Sequence, residues 1–316
     1  GMSHFFPLGT SNETEAARRA VDEAIGDRPA DQEAAVATDF TEENREQAIE
    51  AARETVREAI DNPASDAWPD RAPEAVETDY ERSAADEGLG FESDHANQHL
   101  EVETDDGRIA HLKPALGEMP GAAGRGAVTP AGTGWQREGA ASDADRLMSL
   151  DVVPETVAVN DSELGWASLQ ADAPGDTRSL SQYEGTDVDR MAVLDYVLGS
   201  TDRHANNVRT TSDGRPAAID NGYAFPTSSD VPIRSDFVAR RMGTALSDDV
   251  VASVRACDSA DLQSVLRRDG IEESAIAGCV ARLHEVQANG MITGDAWSGS
   301  IVNARNQPVA YSRRPR

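Results

Sequence analysis

The strongest apolar helical pattern in the chain, DVDRMAVLDYVL at 187–198, runs without a gap into its densest polar segment, GSTDRHANNV at 199–208. An amphipathic helix that ends in carboxylate, imidazole and amide side chains constrains the fold: the polar loop must sit at the end of a packed element, where such groups converge. A hairpin turning at Asp213-Gly214 follows, and AAIDNGYAFP then sets Asp220 at the end of a short apolar strand. Asp202, Asn207 and Asp220 are thereby expected together on loops. These residue types suit phosphoryl transfer. One carboxylate orients an attacking hydroxyl, while an amide and a second carboxylate offer the hard oxygen ligands that Mg²⁺ requires.

The same chemistry needs a cation on the nucleotide phosphates, braced by an acid from a helix. Composition singles one out. Among 29 basic residues Lys113 is the only lysine, and 57 Asp and Glu bring the net charge to −28. Acid excess with lysine almost absent suits a halophilic protein in a potassium-rich cytosol, where carboxylates keep the surface hydrated and salt screens their repulsion. A chain that has lost every other lysine keeps Lys113 for a chemical reason. Lys113 ends the second of two short strands, 99–104 and 108–113, which join across Asp105-Asp106-Gly107. Glu138 falls on a helix expected at 137–150, beyond a Gly-rich loop at 117–134, and strands at 152–159 and 164–170 complete a small mixed sheet. The negative charge also excludes function classes, because it repels phosphate backbones and anionic lipids: neither nucleic acid nor stable membrane association is expected. No apolar run approaches the roughly 20 residues that span a bilayer, and a cytoplasmic location is expected.

Taken together, these segments resemble the phosphatidylinositol 3- and 4-kinase superfamily, whose catalytic loop reads D-R-H-x-x-N and whose metal-binding aspartate opens D-x-G. The likeness is closest to type II phosphatidylinositol 4-kinases, their plant relatives and a group of actinobacterial kinase-like proteins. Matching blocks fall in order: HANQHLEVETDDGRIAHLKPALGE, WQREGAASDADRLMSLDVVPETV, LGWASLQ, and RMAVLDYVLGSTDRHANN with IDNGYAFP, together spanning roughly 89–242. The resemblance implies an α+β, two-lobed protein-kinase-like fold, with a small β-rich N-lobe at 86–172 and a helical C-lobe at 173–297. An acidic helical extension and Pro-spaced linker at 1–85 would precede it, and a mobile tail at 298–316 would come after it. ATP and Mg²⁺ are the implied cofactors. Lys113 would bind the nucleotide phosphates and Glu138 would hold it, Asp202 would be the catalytic acid/base with Arg203 and His204 shaping its loop, and Asn207 and Asp220 would bind the metal. The segment from Ser93 to Asn97 would be the phosphate-covering turn, although it is not glycine-rich, and Leu169, Gln170 and Ala171 the adenine hinge. Asn221 stands where many relatives have histidine.

The phosphoryl acceptor is read from what the chain lacks. Lipid kinases of this superfamily hold an inositide headgroup with a basic stretch after the D-x-G, whereas NGYAFPTSSDVPIRSDF offers Arg234 as its only base, beside two aspartates. The expectation is therefore a phosphotransferase acting on a protein or small-molecule hydroxyl. A non-catalytic kinase-like interaction or nucleotide-sensing protein is the alternative, and nucleotidyl transfer from the same site is a third reading. Segments 11–26 and 41–60 read as helices, and the thin alanine-rich face of 41–60 is expected to pack on the body, on a second copy or on a partner. Cys257 and Cys279 lack the flanking ligands of a zinc site and read as small buried side chains, and His95, His99 and His111 lack metal-ligand spacing.

Overall fold

The structure, a computed structural model, describes residues 80–82, 100–104, 108–115, 128–130, 132–161, 165–173, 175 and 179–309. The helices expected at 11–26 and 41–60, the turn with Ser93 and Asn97, and the reversal at 105–107 lie outside the described residues. The chain divides into two compact units. One takes the described residues up to Gly139, Thr156–Asp172 and Arg268–Gly270, and the other takes Ala140–Glu155, Ala173–Arg267 and the chain from Ile271 onward. The single boundary expected after 172 is thus corrected: 140–155 belongs with the helical unit, because its alanines and Leu150 are built into that unit's core.

The first unit is a sheet. Strands β1 (Tyr80–Arg82), β2 (Leu100–Thr104), β3 (Ile109–Pro114), β4 (Thr156–Asp161) and β5 (Gly165–Ala171) lie in the order β1-β2-β3-β5-β4. Every pairing is antiparallel, which corrects the expected mixed sheet. The helical crossover after β3 delivers β4 to the far edge, and the return of β5 between them leaves no parallel neighbours. The sheet also begins earlier than 86, since Tyr80–Arg82 already pairs with Val102–Thr104. Val102, Ala110, Leu112, Val159, Ala167 and Leu169 share a buried apolar cluster. The two-residue period of a strand puts His111, Lys113, Ser168, Gln170 and Thr156 on the opposite face, where Lys113 lies across from Ser168 and His111 across from Gln170.

Helix α1 (Gly134–Met148) opens three residues before its expected start. Buried Thr133 fastens that end: its hydroxyl donates to Pro130 O at 2.5 Å and accepts from the Arg137 guanidinium at 2.6 Å. Trp135 then stacks on Trp166 of β5, with ring centroids 5.7 Å apart. At the other end the strand expected from 152 starts only at Thr156. The Asp145 carboxylate accepts the Val152 and Val153 N–H groups at 3.3 and 3.2 Å, and Pro154 has none to give, so these residues are withheld from the ladder.

The second unit is built around helix α2 (Thr186–Leu198), which is enclosed on every side from Met191 to Leu198 where its pattern predicts an amphipathic helix. Gly199 ends it in the left-handed region at φ 68°, donating to Asp195 O and Tyr196 O, and a β-carbon there would lie 2.8 Å from Pro226. The hairpin β6 (Val208–Thr210) and β7 (Pro216–Ala218) turns at Gly214 as expected. Next come β8 (Ile233–Arg234), α3 (Asp236–Arg241), α4 (Asp248–Arg255), α5 (Ser259–Arg268), α6 (Glu273–Asn289) and β9 (Ile301–Val302). The expected mobile tail is corrected for 298–309: buried Ile301 and Val302 pair in parallel with β8, and Val309 N donates back to Ile301 O at 3.0 Å. Apolar side chains that fill a core hold their segment in place. Cys257 and Cys279 are buried free thiols, and burial pushes their pKa values up to about 11 and about 12. No described helix is long and apolar enough to cross a membrane.

Asp145 makes the helical unit sensitive to pH. Burial raises its pKa from 3.8 to about 7 against the opposing pull of the Val153 and Val152 N–H groups. The folded state therefore holds this proton more tightly than the unfolded chain, and the stabilisation present below pH 4 is lost as pH rises toward 7, by up to about 4 kcal/mol. Asp145→Asn should remove that part of the slope, and denaturant unfolding of both proteins at pH 4, 5.5 and 7 in molar KCl will show it. Parallel pH profiles would mean that the carboxyl does not retain its proton in the folded protein.

Candidate active site

In the sheet unit the expected cation and acid meet. Lys113 Nζ lies 3.0 Å from Glu138 Oε1, with side chains only 14% and 5% exposed. The sheet supplies Lys113 at the end of β3, and the anchored first turns of α1 supply Glu138. The other Glu138 oxygen is buried without a partner among the described residues, so the carboxylate keeps an acceptor in reserve. The Gln170 side-chain amide donates to Thr156 Oγ1 at 2.8 Å and fastens β5 to β4. His111, two residues before Lys113 and on the same face, pairs through Nε2 with Asp172 Oδ1 at 2.7 Å.

In the helical unit Asp202, Arg203, His204, Asn207 and Asp220 are assembled around one buried guanidinium. Arg203 Nε binds Asp195 Oδ1 at 3.0 Å inside the core, Nη1 donates to Asn207 O at 2.8 Å and to Ile219 O at 2.6 Å, and Nη2 donates to Asn221 Oδ1. The second Asp195 oxygen accepts from Ser235 Oγ at 2.7 Å. Arg203 thereby joins the loop that ends in Asn207 to the loop that carries Asp220, and Ile219 N reinforces the joint by donating to Asn207 O at 3.0 Å. Asp220 itself is exposed at φ 55°, a left-handed conformation that aspartate tolerates better than most residues and that is often kept at functional sites.

Asp202 is held from several directions. Asn207 Nδ2 donates to Asp202 O at 2.7 Å and approaches Asp202 Oδ2 at 3.4 Å, His204 Nε2 lies 3.6 Å from Oδ2, and Arg234 Nη1 donates to Oδ1 at 3.3 Å. Because Asn207 commits its nitrogen to Asp202 O, its side-chain oxygen is the atom that could hold a cation. An amide oxygen and a carboxylate fit a hard cation whose remaining ligands are phosphates and water. The described residues hold no group of three or more His, Cys, Asp or Glu placed for a metal, so a softer or all-protein centre has no counterpart there.

Two contributors escaped the sequence. Asp195 sits inside the apolar run, and an acid within a segment patterned for burial signals a buried cation nearby. Arg234 stands in the sequence as a lone base, and its pairing with Asp202 needs the fold to bring positions 32 residues apart together. Arg203→Met should destabilise the chain by about 3–5 kcal/mol, because Asp195 would be left as an unpaired buried charge. Chemical unfolding will measure it, and a loss below about 1 kcal/mol would mean that Arg203 is not the joint of the two loops.

The phosphatidylinositol 3- and 4-kinase family pattern matches residues 163–244, which include the whole of this assembly from Asp195 to Arg234. Among solved structures, the Helicobacter pylori proinflammatory kinase CtkA is similar at 12% identity and a TM-score of 0.36, covering 67% of this chain and 93% of its own. Comparison with curated proteins found no match. The described residues form a β-rich unit and a helical unit. Over the segment that carries Asp202, Asn207 and Asp220, the chain is phosphatidylinositol 3- and 4-kinase-like.

Proposed function

We propose that the protein is an ATP- and Mg²⁺-dependent phosphotransferase that acts on a protein or small-molecule hydroxyl. The observation that carries this reading is the pair of Lys113, the only lysine of the chain, with buried Glu138 at 3.0 Å. A compact ammonium acts as a point charge among phosphate oxygens, and a carboxylate behind it sets its position. Asp202 would accept the proton of the attacking hydroxyl as the hydroxyl oxygen bonds to the γ-phosphorus and the bond to the departing ADP breaks. Asn207, through its nitrogen on Asp202 O, and His204, beside Oδ2, would keep that carboxylate in place. Bound Mg²⁺ would neutralise the charge of the phosphates, with Asn207 and Asp220 to hold it. A non-lipid acceptor is supported by Arg234, the only base after Asp220 up to residue 236, because its guanidinium is already engaged by Asp202 and Ala304 O.

Thermal unfolding in molar KCl tests the binding half. MgATP at one hundred times its dissociation constant should stabilise the native chain by roughly 2.7 kcal/mol. Asp220→Ala should lose the Mg²⁺-dependent part, and Lys113→Met and Lys113→Arg should lose most of the shift and of any transfer. Full activity in the arginine variant would remove the main reason for reading the protein as an enzyme, and a wild-type shift without turnover would favour a nucleotide-sensing protein.

A further inference from the structure

We infer that Arg234 is a positioning residue for Asp202, and that the C-terminal turn at 301–309 belongs to the candidate active site because it aims Arg234. The inference deepens the phosphotransferase reading and rests on it. Position 234 is tied to the loop of Asp202 from both sides by its backbone: Arg234 N donates to Ser200 O, and Arg203 N donates to Arg234 O, each at 3.0 Å. The side chain closes the same ring. Nη1 reaches Asp202 Oδ1 at 3.3 Å, while Nε and Nη2 both grip Ala304 O, at 2.9 and 2.5 Å.

A guanidinium is a planar fork, so two N–H groups on one carbonyl fix the direction of the third. That carbonyl is itself held. Ile233 N and Ser235 N donate to Ser300 O and Val302 O at 3.1 and 3.0 Å, and Ala304 N donates to Asp236 Oδ1 at 2.7 Å. Asn303 Oδ1 accepts from Arg305 N and Gln307 N at 3.0 and 2.9 Å and shapes the turn, with Asn306 in the left-handed region at φ 61°. Ala304 thus sits at the head of a stiff reversal, facing an arginine that faces the proposed base. With Asn207 and His204 on the other carboxylate oxygen, Asp202 is held on both sides. Misplacing a catalytic group by about 1 Å costs up to about 100-fold in rate.

A merely structural staple would affect stability alone, so kinetics separate the two roles. With the full chain in molar KCl, ADP release from MgATP is measured with water as the acceptor, together with KM for MgATP and the unfolding midpoint. Arg234→Gln should lower kcat at least about tenfold while KM stays within about twofold and unfolding remains cooperative. Arg234→Lys keeps a cation without the fork and should fall between, and it carries the test if the glutamine variant does not fold. Asp236→Ala, which frees Ala304 without touching Asp202, should lower kcat less and in the same direction. A wild-type chain that turns over, with an Arg234→Gln or Arg234→Lys variant of equal kcat, overturns the inference alone. A wild-type chain that binds MgATP and turns over neither with water nor with protein or small-molecule hydroxyl acceptors overturns the phosphotransferase reading, and the inference with it.

Discussion

The guanidinium of Arg203 is buried, and a buried guanidinium must find partners for its donors or the helical unit cannot close around it. Its partners set the layout of the helical unit's polar centre. Asp195 supplies charge from the last turn of α2, the carbonyls of residues 207 and 219 supply acceptors from two separate loops, and Asn221 supplies the last. Satisfying one side chain therefore fixes the spacing between the loop of Asn207 and the loop of Asp220. The cost of desolvating Arg203 and Asp195 is accepted in a place where an apolar pair would hold the core equally well, but could not reach two backbone carbonyls at once.

Charge is used in opposite ways inside and outside this protein. Its surplus of carboxylates is a property of the whole chain. Inside, three carboxylates each have a specified neighbour: Glu138 has Lys113, Asp195 has Arg203, and Asp202 has Arg234. Two of those cations are arginines holding forked or multiple contacts, and one is a lysine with a short contact to a carboxylate. The difference has a chemical origin. Arg203 and Arg234 must satisfy several fixed acceptors, which suits a rigid planar fork, whereas Lys113 meets the single carboxylate of Glu138, which a compact ammonium satisfies.

Much of the candidate site was legible in the sequence because it is local. The DRHANN run and the IDNG run each carry their groups within a few residues, and the helix before them and the hairpin between them have clear periods. Lys113 was legible for another reason, since a composition that removes lysine makes the remaining one conspicuous, and Glu138 was read as its partner through the family resemblance. What failed to show were features set by tertiary partners. The late start of β4 depends on Asp145 capturing two N–H groups, the enclosure of α2 depends on helices later in the chain, and the seat of 301–309 depends on pairing with β8. Short apolar stretches such as Ile301-Val302 carry no period of their own, so a tail with two buried residues reads as an exposed one.

Asn221 illustrates how a departure from a family pattern can leave a hydrogen-bonded joint intact. The resemblance to the phosphatidylinositol 3- and 4-kinase superfamily implies a histidine after Asp220, and a histidine there invites a role in proton transfer. In this structure the side chain at 221 is buried, accepts from Arg203 and donates from Nδ2 to Ala218 O at 3.1 Å. The position asks for one acceptor and one donor on a small planar group. A neutral imidazole offers one of each as well, through its two ring nitrogens, so asparagine and histidine meet the same demand by different atoms. The amide cannot be protonated at ordinary pH, so in this chain the link from Arg203 to β7 stays hydrogen-bonded through pH changes that would charge an imidazole. Position 221 is thereby an element of the Arg203 assembly.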